Sequence, residues 1–149
     1  MPNSFVVSQQ TTIAREIVLN GVGVHSGAQV SMVLHPAEAD VGHRFMVTRR
    51  GRIVAEIPAH VDYVKNLTLC TVIGDDSGNT VGTVEHLLAA LRGVGVDNCY
   101  IEIEGHEVPI MDGSSHVFVE AIDNAGLRQL CANRRFIKVL KPCLLYTSP

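Results

Sequence analysis

The chain reads as an α/β protein of the α+β kind, a two-layer sandwich in which one mixed sheet carries two helices on one face. Three observations predict this. The first half alternates short β-like runs with glycine and turn residues and holds no helical pattern. Two segments, Thr83–Arg92 and Ser115–Ala125, each show a single apolar stripe at helical spacing, so each can cover a sheet on one side only. Several strands are joined by tight turns, which favours antiparallel neighbours.

In chain order, residues 1–10 are polar and without period, and are expected to form a loose tail. Ile13, Ile17, Val18 and Leu19 predict a strand ending at Gly21-Val22-Gly23. Val30, Met32 and Leu34 alternate with Gln29, Ser31 and Val33 as a half-buried strand stopped by Pro36. Phe45 to Thr48 and Ile53 to Ile57 flank Arg49-Arg50-Gly51-Arg52, a hairpin with a basic turn. Leu67 to Ile73 reads as an apolar strand, followed by the turn residues Asp75 to Asn79.

Thr83 is the expected N-cap of the first helix, with Glu85 in its first turn and Gly93 as its stop. Asn98 to Glu104 alternates as a strand, and a turn at Gly105-His106 leads into Glu107 to Ile110. Phe118, Ala121, Ile122 and Ala125 mark the second helix, with Gly126 as its stop.

Composition excludes several function classes. The 149 residues carry 12 Lys+Arg against 15 Asp+Glu, a net charge of −3, with no long basic run to bind nucleic acid. At 46% hydrophobic and 18% charged the chain can bury a core and is not disordered. No apolar run reaches the roughly 18 residues of a membrane span, and Met1 to Gln10 lacks the pattern of a signal peptide. Cys70, Cys99, Cys131 and Cys143 are scattered, which predicts reduced, mostly buried thiols in a cytoplasmic protein.

Gly21-Val22-Gly23-Val24-His25-Ser26-Gly27 misses the dinucleotide fingerprint. Its third glycine falls one place late, and a strand follows it rather than a helix. Spacing alone favours a tight connection between strands. Glu85-His86 in the first turn of a helix admits two readings. The dipole there favours a neutral imidazole fit to bind a metal, with a neighbouring carboxylate to act on water. The other reading, a surface Glu beside a hydrogen-bonded His, is the one that spacing alone favours. No second ligand lies on that helix, so the pair could supply one of the three protein ligands of a zinc hydrolase.

Gly-Val-Gly-Val-His-Ser-Gly (21–27), Leu-Cys-Thr (69–71), Thr-Val-Glu-His-Leu-Leu-Ala-Ala-Leu (83–91), Asp-Asn (97–98) and Val-Pro-Ile-Met-Asp-Gly-Ser (108–114) occur in that order. Over roughly residues 11–142 this series resembles the N-terminal domain of the UDP-3-O-acyl-N-acetylglucosamine deacetylases, zinc amidases of lipid A synthesis. Val24 departs from it, since the family usually has Leu there. The resemblance implies Zn2+ as cofactor with His86 as a ligand, Glu85 as general base, and the sugar nucleotide as substrate. It also implies that His25, Leu69, Cys70 and Asp112 border the substrate. By the same resemblance 11–130 is the N-terminal domain and 131–142 the start of a second one carrying the remaining zinc ligands. Residues 143–149 are off pattern, so the chain is expected to be an inactive part of the enzyme. A non-catalytic α/β binding module is the rival expectation.

Overall fold

The computed structural model describes residues 8–146. Most of the first ten residues' expected tail, 1–7, lies outside that range, as do 147–149 of the off-pattern end. The main layer is a five-stranded mixed sheet. Its strands are β2 (Ile17–Val22), β3 (Gln29–Pro36), β4 (His43–Arg49), β5 (Arg52–Pro58) and β9 (Cys99–Glu104), arranged in the order β2-β3-β9-β4-β5. Only the β4–β9 pair is parallel; the other neighbours run antiparallel.

The alternation read from the sequence becomes two rows across this sheet. Ile17, Leu34, Ile101, Phe45 and Ile57 sit in register, as do Leu19, Met32, Ile103, Val47 and Ala55, and all ten are buried. Against them pack α1 (Glu85–Val94) through Leu87 and Leu91, and α2 (His116–Ala125) through Phe118 and Ile122, in one core cluster. Burial of side chains this size contributes on the order of 1.5–3 kcal/mol each. The other face is polar: His35 sits between Glu16 at 2.9 Å and Glu102 at 3.1 Å.

Two small sheets flank this sandwich, which the single-sheet expectation did not include. β1 (Gln9–Ile13) pairs antiparallel with β10 (Leu127–Asn133). Gln9 and Gln10 therefore belong to a strand rather than to the polar tail. Gln10 is buried because its side chain bonds to Asp40 and Asn98. β6 (Val64–Asn66), β7 (Val72–Gly74) and β8 (Thr80–Val81) form a three-stranded sheet beside the start of α1.

The predicted strand Leu67–Ile73 is broken. Asn66 Oδ1 accepts a hydrogen bond from the Thr68 amide at 2.8 Å, and Leu69 takes φ = 67°, so only Val72 onward is extended. Helix α1 also runs past Gly93 and stops at Gly95, where φ is 94° and the amide returns to the Leu91 carbonyl. Among the described residues no helix is long and apolar enough to cross a membrane. Cys70, Cys99, Cys131 and Cys143 are all free thiols, but only Cys99 is buried, since Cys131 and Cys143 lie on β10 and the exposed segment after it.

Candidate active site

Three segments meet at one end of the sandwich. The β2–β3 connection carries His25 and Ser26, the β6–β7 connection carries Leu69 and Cys70, and the turn Gly82-Thr83-Val84 leads into α1. A parallel bridge between Gly82 and Glu107 joins this turn to the segment after β9, with Gly82 N–H bonded to His106 O and Val108 N–H to Gly82 O, each at 2.9 Å.

Between them lies an open cleft of about 400 Å³. His25, Leu69 and Cys70 line it, so three of the residues singled out in the sequence are brought to one surface. Leu69 is 89% exposed. Glu85 and His86 begin α1, both half-buried. Glu85 Oε2 accepts a hydrogen bond from the Thr71 amide at 3.2 Å, which ties the helix start to the Leu69–Cys70 loop. The His86 carbonyl accepts from Ser115 Oγ at 3.0 Å, which holds the N-terminus of α2 beside that of α1.

Asp112 is not among the residues lining the cleft. It is exposed, and its carboxylate accepts from the backbone N–H and the hydroxyl of Ser114, both at 2.9 Å. Those two bonds hold its pKa below the usual aspartate range. Among the described residues no three His, Cys, Asp or Glu side chains group closely enough to hold a metal ion. Among the described residues, therefore, His86 could provide one donor, not a complete site.

The UDP-3-O-acyl N-acetylglycosamine deacetylase (LpxC) family model matches residues 10–148, nearly the whole chain. The chain belongs to this family. A UDP-3-O-acyl-N-acetylglucosamine deacetylase from Idiomarina loihiensis is 44% identical over 136 residues, taking in 90% of this chain and 44% of its own length. Proteins of the same name from Brucella ovis and Shewanella pealeana are 47% and 40% identical, each over 89% of this chain and over 46% and 43% of their own lengths. The chain thus spans less than half the length of these relatives.

This member of the deacetylase family also holds site residues that the sequence reading passed over. Glu107 is 5% exposed, and its carboxylate receives the Ser26 amide at 2.8 Å, the Ser26 hydroxyl at 2.5 Å, the His25 amide at 3.3 Å and the Thr83 hydroxyl at 3.2 Å. Burial would raise its pKa, but the hydrogen bonds from Ser26, His25 and Thr83 together hold it below the usual glutamate value. Thr83 is not the expected N-cap. Val84 takes that position, and the Thr83 hydroxyl is spent on Glu107. The one signal available was a lone acidic residue entering the apolar run Val108-Pro109-Ile110.

Proposed function

We propose that this chain supplies one side of the active site of a zinc-dependent amidase of lipid A biosynthesis, hydrolysing the N-acetyl group of UDP-3-O-acyl-N-acetylglucosamine. The observation that carries this reading is the Glu85–His86 pair at the start of α1, with its carboxylate tied to the loop that lines the cleft. His86 would hold the zinc, and the other donors would come from outside the described residues. Bound zinc supplies Lewis-acid chemistry, polarising an amide carbonyl and lowering the pKa of water.

Glu85 is the general base. The Thr71 amide occupies Oε2, which fixes the carboxylate and leaves Oε1 to take a proton from the attacking water. His25 meets the polar part of the substrate, while Leu69 and Cys70 offer it an apolar wall. Asp112, at the entry to α2 and outside the cleft lining, would reach the substrate only where it extends beyond that cleft. The segment after β10 would lead into a second domain that contributes the missing ligands. The cytoplasm is the proposed compartment, in keeping with a sugar-nucleotide substrate and four free thiols.

Acetate release from the sugar nucleotide by the full-length deacetylase tests the reading. Turnover lost to a chelator and restored by zinc is expected. Turnover indifferent to chelation would refute it. The 149-residue chain alone, with no cluster of three donors among its described residues, is expected to bind zinc weakly and to turn over nothing measurable.

A further inference from the structure

Outside the Glu85–His86 pair, the most heavily bonded buried side chain at this end of the sandwich is Glu107. Its two oxygens divide their work. Oε1 takes the amide and hydroxyl of Ser26, and Oε2 takes the His25 amide and the Thr83 hydroxyl. One carboxylate thus holds the His25 loop with one set of bonds and the residue two before Glu85 with another.

Two backbone features show how tightly this arrangement is built. A Cβ at position 23 would lie 1.9 Å from Glu107 Oε1, so glycine there is a condition of the approach. Thr83 is β-branched yet sits at φ = 55°, a conformation that persists only where surrounding contacts over-determine it. Leu69 and Met111, beside the same end of the sandwich, are also left-handed at 67° and 54°. Strain of this kind gathers where geometry is held for function.

We propose that Glu107 is a positioning residue for the deacetylation. It touches no reacting atom, and it sets the distance between the His25 loop and the start of α1 that carries Glu85 and His86. The proposal rests on the reading of Glu85 and His86 given above. A glutamine at 107 cannot replace the carboxylate. Its NH2 would have to face a backbone N–H, either that of Ser26 or that of His25, and neither can reverse its hydrogen bond.

The test combines amide hydrogen exchange with kinetics on the zinc-loaded full-length deacetylase and its Glu107→Gln, Ser26→Ala and Thr83→Ala variants. In Glu107→Gln the His25 and Ser26 amides should exchange about tenfold faster or more while β3 and β9 amides stay protected. Zinc content should hold, with kcat falling about tenfold or more and KM changing less. Ser26→Ala and Thr83→Ala each cut one arm of the clamp and should give smaller losses of the same kind, which decides the matter if Glu107→Gln fails to fold.

Unchanged exchange at His25 and Ser26 would overturn the proposal. So would full kcat in the variants, or a loss that merely follows global unfolding and vanishes on cooling. A wild-type protein with no deacetylation would count against the reading of Glu85 and His86, and the exchange data would still decide whether Glu107 holds the loop.

Discussion

Arg134 closes on Asp97 across 37 residues of chain, with Nη2 at 2.7 Å and Nε at 2.9 and 3.0 Å from the carboxylate oxygens. The same carboxylate receives the Thr11 amide at 2.9 Å, so one nearly buried anion locks β1, the α1–β9 turn and the end of β10 together.

Among the described residues, removing Arg134 would leave that anion with only the largely exposed Arg92, at 3.4 Å, as a cationic partner, and should therefore be costly. Arg134→Ala is expected to destabilise the fold by about 2 kcal/mol, less than a fully buried pair because Arg134 keeps some solvent contact. Urea denaturation measures this directly. Truncating Lys65, whose partner Asp76 is fully exposed, should leave the midpoint unchanged.

His43 makes the stability depend on pH. Burial lowers its pKa, although the bond from its Nε2–H to the Val96 carbonyl at 2.9 Å works the other way. The unfolded chain takes up a proton near the ordinary value of 6.5 while folded His43 remains neutral, so stability falls as pH drops below about 6.5. Above that pH this residue adds no slope. Denaturation midpoints between pH 8 and 5.5 should show the decline. His43→Gln, which keeps a donor for Val96, should flatten it.

The four thiols should separate by burial. Cys99 is fully buried in β9, and desolvation pushes its pKa up to about 12. In the native protein a thiol-specific reagent should reach Cys131 and Cys143 quickly and Cys70 more slowly. Cys99 should react only on unfolding. Rapid native labelling of Cys99 would contradict the packing of β9.

What was legible in the sequence is what short-range pattern encodes. Period-two alternation marked the buried faces of Gln29–Pro36 and Cys99–Glu104, where Leu34 and Ile101 sit in register. Period 3.6 marked Leu87, Leu91, Phe118 and Ile122 on the helices that pack in the same core. That Ile17, Phe45 and Ile57 join the same row is a matter of strand pairing. The Leu67–Ile73 strand failed because hydrophobicity outweighed a turn set by Asn66, whose side chain competes with the ladder. Glu107 went unread because its partners are 81 and 82 residues away on one side and 24 on the other. No local spacing announces such a carboxylate. The Glu85–His86 pair was visible as residues, and motif resemblance rather than spacing gave it a role.

Comparison of Glu85→Gln with His86→Ala in the full-length deacetylase tests the central claim most directly, by zinc content and acetate release from the same preparations. Glutamine at 85 can still accept the Thr71 amide through its carbonyl oxygen, so loop and helix start should stay in place. Glu85→Gln is expected to keep its zinc and lose about 10²–10⁴ in kcat, whereas His86→Ala should lose zinc and turnover together. Full turnover in Glu85→Gln, or full zinc occupancy in His86→Ala, would contradict the roles given to this pair.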